Sequence, residues 1–392
     1  MKILSVNAGS SSLKFTLFEM PEAKELISGT FEKIGLNDSF YSVKLNGEKT
    51  KKSASLPSHN EAFEILMNEL IDLKIIASYD EIVGIGHRVA QGGSYFDKSV
   101  VATDENIKII SDLSQIAPLH NPPAVTGINA AKKVVPNATQ TLVFDTSFHQ
   151  TLSEVNYLYA VPYEWYTDYN VRKYGFHGTS HKYVAKRAME ILENENAKLI
   201  TCHIGNGASI SAVNAGKCVN TSMGMTPNAG LMMGTRCGDI DASIVAYICE
   251  KTGLSVEEVN TKLNKESGLL GISGVSSDSR DIEDGINSGN ERCILAQDMY
   301  IKKIVDYIAA YYVELGGVDA IIFTAGLGEN SALTRRMILE KLEVLGVKID
   351  HEKNNVRGKE QLITTEDSKV KAYIIPTNEE LMIATDTYDL IK

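Results

Sequence analysis

The residues with the most chemical potential in this chain sit in short turns. Asn7-Ala8-Gly9-Ser10-Ser11-Ser12 lies between two apolar runs, with Lys14 just beyond. A glycine lets a backbone turn tightly and approach a ligand. Successive N–H groups with the hydroxyls of Ser10 and Ser12 make a concave anion site, and a lysine adds a point charge. A plain Ser-rich hairpin is the competing account of that stretch. A second such turn, Gly205-Asn206-Gly207-Ala208-Ser209, follows His203-Ile204, and a third, Ala325-Gly326-Leu327-Gly328-Glu329-Asn330, follows Thr324. Arg88 stands after His87, Arg236 in Met233-Gly234-Thr235-Arg236, and Asp145 after an apolar run. Phosphoryl transfer needs such parts: positioning, metal, positive charge on the moving group and sometimes a carboxylate near the nucleophile. His177 and His181 have a zinc-like spacing but lack the glutamate of a metalloprotease motif, so a metal there is not expected.

The elements that must hold these residues follow from periodicity. Ile3, Leu4 and Val6 predict one strand, and Leu13, Phe15, Leu17 and Phe18 a second. Residues 24–56 read as polar-edged strands and turns. Phe63, Leu66, Leu70 and Leu73 predict a helix over Asn60–Leu73. Glu81–Gly86 reads as an apolar strand running straight into His87-Arg88. Thr103–Leu113 and Pro123–Val135 read as helices, and Thr141–Phe144 as a strand ending on Asp145. Near residue 199 the opening pattern of strand, turn and strand returns, which suggests two related halves facing a shared site. Helices are expected at about Asp241–Lys251, at Val256–Asn264 after a Ser255/Glu258 capping box, at Cys293–Leu315 and at Leu333–Leu345. The third of these reads as core, with a dimer interface as the other option. A last helix is expected to start at a Thr377–Glu380 capping box, after a strand at Ala372–Ile375.

One positional fact joins the two readings. Asn7, Arg88, Asp145, Gly205-Asn206-Gly207 and Gly326 each follow the carboxyl end of an apolar strand, the edge at which open α/β sheets bind ligands. The third turn is not a dinucleotide fingerprint, because Ser331 takes the place of the third glycine. No P-loop is present.

Bulk properties narrow the options. With 392 residues, two or three domains are expected. The net charge of −11 argues against nucleic acid or an anionic membrane as the main partner. No leader and no run of about 18 apolar residues is visible, so a cytoplasmic location is expected. The five cysteines show no C-x-x-C spacing and read as reduced, idle thiols.

At these residues the chain resembles the acetate kinase family of acyl-phosphate kinases, essentially end to end. The most specific matches are Val6–Lys14 and Met233-Gly234-Thr235-Arg236-Cys237-Gly238-Asp239-Ile240-Asp241. The segments around His87-Arg88, Phe144-Asp145-Thr146 and Phe176–His181 match as well. The resemblance implies two similar α/β domains of the sugar kinase and actin-like ATPase type, with an interdomain nucleotide cleft. By position the first would be 1–150, with a C-terminal helix of about 378–392 packing back on it. The second, 151–377, would bind nucleotide and dimerise. ATP, Mg²⁺ (with Mn²⁺ as a substitute) and a homodimer are implied.

The resemblance also distributes roles. Asn7 and Glu379 would help place the metal, and Lys14 would contact phosphate. Arg88 and Arg236 would clamp the acyl carboxylate and the moving phosphoryl, with Asp145 as the essential carboxylate and His177 as a transition-state donor. His203, Ile204, Gly205, Asn206 and Gly207, then Asp278, Ser279 and Arg280, then Gly326, Leu327, Gly328, Glu329 and Asn330 would line the nucleotide site. Ala90, Leu119, Phe176 and Pro227 would surround the substrate methyl. The family usually has a valine-like residue where Ala90 stands, so a roomier pocket and better use of propionate are expected. Ser279 replaces a common aromatic, which weakens base stacking.

The expected reaction is reversible transfer of the ATP γ-phosphoryl to acetate. A propionate kinase or broader short-chain acyl kinase is the alternative. A sugar kinase would need a polar pocket that these side chains do not offer. The remote alternative is a non-catalytic nucleotide switch like actin or a chaperone ATPase.

Overall fold

The computed structural model describes residues Met1–Lys392. The chain divides into two compact units, Met1–Gln150 with Asn378–Lys392, and Thr151–Thr377. Each is an α/β unit built on one sheet.

The first sheet contains β1 (Lys2–Ala8), β2 (Ser12–Glu19), β3 (Lys24–Glu32), β4 (Phe40–Leu45), β5 (Glu48–Ser53), β6 (Ile82–Val89), β7 (Val100–Val101) and β8 (Thr139–Phe144), in the order β5-β4-β3-β2-β1-β6-β8-β7. The second contains β9 (Lys198–Ile204), β10 (Ala208–Asn214), β11 (Lys217–Thr221), β12 (Ala320–Thr324), β13 (Gln361–Leu362) and β14 (Lys371–Ile374), in the order β11-β10-β9-β12-β14-β13. The runs β3-β2-β1-β6-β8 and β11-β10-β9-β12-β14 have the same plan. Each has an antiparallel meander of three strands followed by two parallel ones. The expected echo between the two halves is therefore one of topology.

Apolar strands with both faces covered read as continuous hydrophobic runs. In the first unit Leu4, Val6, Leu13 and Phe15 pack with Phe63, Leu66 and Leu70 of the helix His59–Asp72. On the other face, Ile3 and Phe18 meet Ala384 of the C-terminal helix Glu379–Ile391. That helix lies so close to β6 that a Cβ on Gly86 would sit 2.3 Å from Thr387 Oγ1. In the second unit Ile200, Cys202 and Ile204 pack with Ile301, Ile304 and Ile308 of the 24-residue helix Glu291–Glu314. The five cysteines are free, and burial pushes the thiols of Cys202 and Cys218 well up.

Three expectations need correction. Strand β6 runs on to Val89, so Arg88 lies inside it; His87 is buried and bonded to Gln140 across to β8, which continues the ladder. The turn after β12 closes into the short helix Ala325–Asn330, with Ser331 capping the next helix, Ala332–Lys341. The last helix is capped by Asn378, whose side chain accepts from the Leu381 N–H; Glu380 pairs with Lys14 instead of closing a capping box.

Candidate active site

Register places the first group of candidates. Strands β1, β6 and β8 run parallel, with Val6 beside His87 and Val89 beside Phe144. Their carboxyl ends thus carry Asn7, Arg88 and Asp145 to one edge of the sheet. The Arg88 guanidinium forks onto Asp145, donating from Nε to Oδ1 at 3.1 Å and from Nη2 to Oδ2 at 2.5 Å. Its Nη1 donates to Asn7 Oδ1 at 3.4 Å. Asp145 is 2% exposed, and its charge is the main reason the Arg88 pKa is raised. Such bidentate pairs fix orientation as well as charge.

Lys14 faces Asn7 across the β1–β2 hairpin and pairs with Glu380. Between them the Gly9 N–H donates to the Ser12 carbonyl at 2.9 Å, and His59 Nε2 meets the Gly9 carbonyl at 2.9 Å. Ser10 is exposed and Ser12 half-buried. Glu379 opens the C-terminal helix. Loss of solvent lifts its pKa to about 7; Arg88 and Lys14 oppose the rise, while Asp145 and Glu380 add to it.

The oxygens of Asn7 and Glu379 suit a hard cation. Magnesium takes one or two protein oxygens and completes its shell with water and phosphate. A carboxyl whose anion is disfavoured until a cation arrives fits that demand. No group of three or more His, Cys, Asp or Glu side chains forms a cage of its own.

The second unit holds the other candidates. His177 caps the helix Gly178–Ile191 with a left-handed backbone, φ 58°. Such geometry is uncommon outside glycine and concentrates at functional sites. Its ring stacks on His203 with centroids 4.1 Å apart. Arg236 donates from Nη1 to the Pro227 carbonyl at 3.2 Å and touches Met233 Sδ at 3.7 Å. Desolvation lowers its pKa. A Cβ on Gly207 would lie 3.5 Å from Arg236 Nη1 and 3.6 Å from His177 Nε2, so glycine keeps open a space that both side chains face.

A cavity of about 760 Å³ opens beside them, large enough for a nucleotide. Gly205, Asn206, Asp278, Ser279, Arg280, Gly326, Leu327 and Asn330 line it, as does Leu269. Asp278 caps the helix Ser279–Asn287 and holds Arg280, with Nε to Oδ1 at 3.0 Å. The hydrogen bonds to Arg280 bring the Asp278 pKa down to about 2.

Other candidates lie elsewhere. His203, Ile204, Gly207, Gly328 and Glu329 are not among the lining residues. Glu329 Oε1 accepts from the N–H groups of Ala325 at 2.7 Å and Thr377 at 3.1 Å, which latches two chain segments together. Ala90 and Phe176 are buried, at 7% and 4% exposure, whereas Leu119 is 71% exposed.

Several residues escaped sequence reasoning. Asn355 and Arg357 line the cavity from a loop without periodicity. Arg335 is fully buried, and its guanidinium donates to the carbonyls of Gly328, Asn354 and Val356. It braces the segments around the cavity, and burial brings its pKa down to about 10. An arginine in the Arg335-Arg336 pair on a predicted helix carries no mark of that role.

Comparison with known proteins bears on the whole chain. The sequence model of the Acetokinase family matches residues 2–385. An acetate kinase of Shouchella clausii is 53% identical over 391 residues, covering 99% of each chain. One from Aster yellows witches'-broom phytoplasma is 52% identical over 390 residues, covering 100% of this chain and 95% of its own. Among solved structures, Porphyromonas gingivalis acetate kinase superposes with a TM-score of 0.95 at 46% identity, covering all of both chains. A propionate kinase from Francisella tularensis gives 0.93 at 42% identity, covering 99% of both. With the strand-edge residues, the arginines and the full-length matches taken together, this chain belongs to the acetokinase family.

Proposed function

We propose that this chain transfers the γ-phosphoryl group of ATP to acetate, giving acetyl phosphate and ADP, reversibly and by in-line displacement. The observation that carries it is Arg236, a partly desolvated cation whose hydrogen-bond partners are a carbonyl and a thioether. No carboxylate neutralises it, so an anion beside Gly207 is its natural partner.

In this reading Arg236 steadies the transferring phosphoryl, and His177 donates to the same charge as it builds. The lined cavity takes ATP, and Lys14 with Ser10 and Ser12 guides phosphate. Arg88, held by Asp145, receives the acetate carboxylate. Acetate is already an anion and needs no strong base, so Asp145 orients Arg88 and does not remove a proton. Asn7 and Glu379 would hold Mg²⁺, or Mn²⁺ in its place. That ion would neutralise phosphate oxygens during transfer. Nucleotide binding and contact with a second copy of the chain are assigned to Thr151–Thr377, and the cytoplasm supplies the ATP.

The second reading, a propionate or broader acyl kinase, is favoured by Ala90, a small and 7% exposed side chain among the residues assigned to the substrate methyl. One methylene is worth only about 1–3 kcal/mol of discrimination. The test is acyl phosphate formation from ATP with acetate, propionate and butyrate, trapped as hydroxamate and compared by kcat/KM. A clear lead for acetate supports the first reading. Parity or a lead for propionate moves the assignment to the second. No hydroxamate from any of them overturns both.

A further inference from the structure

Behind His177 stand three fully buried side chains that the proposed chemistry leaves unused. Thr201 Oγ1 lies 2.7 Å from His181 Nδ1, His181 Nε2 lies 2.7 Å from Ser209 Oγ, and Ser209 Oγ lies 2.9 Å from His177 Nδ1. Thr201, His181 and Ser209 are each 0% exposed. Thr201 comes from β9, Ser209 from β10 and His181 from the first turn of the helix that His177 caps. The four groups form one line that ends at the space above Gly207.

A hydroxyl has one proton to give. Ser209 sits between two ring nitrogens, so it donates to one and accepts from the other. With both rings neutral, the tautomers of His177 and His181 are therefore locked together. When His181 carries its proton on Nε2, Ser209 must turn its own proton toward His177 Nδ1. His177 then carries its proton on Nε2, facing the same space as Arg236.

Two observations choose that direction. The Thr201 hydroxyl has the Ser211 carbonyl as its other acceptor, at 3.4 Å, near the limit of a hydrogen bond and much longer than its 2.7 Å contact with His181. Thr201 thus donates into the line. Second, an imidazolium at His177 would place another cation beside Arg236, which already lacks full solvation. A neutral ring with N–H at Nε2 offers an anion a donor without that cost. Stacking against His203, whose own Nδ1 is 2.8 Å from Ser180 Oγ, holds the ring plane.

We propose that Ser209 and His181 are positioning residues that keep His177 neutral and protonated on Nε2, ready to donate to the moving phosphoryl group. The inference deepens the proposed function and rests on His177 serving the transfer.

The test combines spectroscopy with kinetics on the full chain. Nitrogen NMR of ¹⁵N-histidine-labelled protein, with His177 assigned through His177→Gln, reads the tautomer directly. The expected result is a protonated Nε2 and a bare Nδ1 in the parent protein, changing to a mixture in Ser209→Ala. In the hydroxamate assay His177→Ala should lower kcat about 10²–10³-fold, as loss of one transition-state donor does. Ser209→Ala should lower kcat roughly tenfold with KM for ATP nearly unchanged, and should add nothing in the His177→Ala background. A bare Nε2 on His177 in the parent protein overturns the inference, as does full kcat in Ser209→Ala when His177→Ala is impaired. If His177→Ala itself keeps full kcat, the role of His177 in the transfer is what fails. The nitrogen spectrum still decides the tautomer in that case.

Discussion

Asp145 and Arg88 are bound so closely that neither can be altered alone without exposing the other. Asp145→Asn removes the charge beneath the Arg88 fork while keeping its shape. It should cost most of kcat; retention of most of kcat in steady-state assays would exclude the positioning role. Arg236→Ala should lower kcat by roughly 10³-fold or more, the range of an arginine that acts in the transition state. An effect confined to KM would contradict it. Ala90→Val should worsen propionate relative to acetate in the same assay; equal rejection by both proteins would dismiss Ala90 as a specificity determinant. Arg88, Asp145 and Arg236 stand out as candidates in the sequence because strand ends and glycine turns mark them in the chain. Ser209 and His181 were not. Their i, i+4 and cross-strand placements look like ordinary core until a helix is laid on a hairpin. Glu329 shows the converse: an acid that follows a glycine reads as a ligand contact, and in the fold it accepts from two backbone N–H groups, which the sequence does not announce.

Elements were the most legible scale, because buried strands and amphipathic helices announce their period. The ends were less so. β6 overran its expected limit because His87, polar on paper, is buried with Gln140 as its partner. Burial brings the His87 pKa down to about 4 from its ordinary 6.5. The unfolded chain takes up that proton first as pH falls. His87 therefore contributes fully above about 6.5 and loses its contribution as pH drops towards 4, with a total of about 3 kcal/mol. Urea midpoints measured down this range should fall more steeply in the parent than in His87→Gln. The neighbouring Gly86 is a packing constraint. Gly86→Ala drives a methyl against Thr387 and Ile383 of the C-terminal helix and should cost about 1–3 kcal/mol by overpacking. An unchanged denaturation midpoint would show that the helix can move aside.

At the scale of the molecule, the repeated strand order is the main fact. Only a similarity of pattern was visible in the residues, because two sheets can share topology while their side chains diverge. Each unit has its own core. The single tryptophan, Trp165, lies in the Thr151–Thr377 unit and is half exposed. Its fluorescence should therefore follow the unfolding of the unit that carries the cavity proposed for the nucleotide. ATP at about 100 times its Kd should stabilise that transition by about 2.7 kcal/mol. A fluorescence transition indifferent to ATP would place nucleotide binding outside this unit.

The rim of the larger sheet bears on how the protein can be handled. Strand β5 is its outer edge, and all six residues, with Lys49, Lys51 and Lys52 among them, are exposed. An open edge invites another strand, and lysines keep it away. Two copies meeting there would crowd the ammonium groups of Lys49 and Lys51 from each, with Lys52 paired to Glu69 of its own chain. Amine-reactive dyes, surface acylation or lysine-directed crosslinkers would strip that guard and break the Lys52 pair with Glu69, leaving Glu48 as the only charge on the strand. Labelling through the half-buried thiols Cys237 or Cys249 leaves the rim intact, so a thiol-tagged sample should stay dispersed at concentrations where an amine-tagged one clumps.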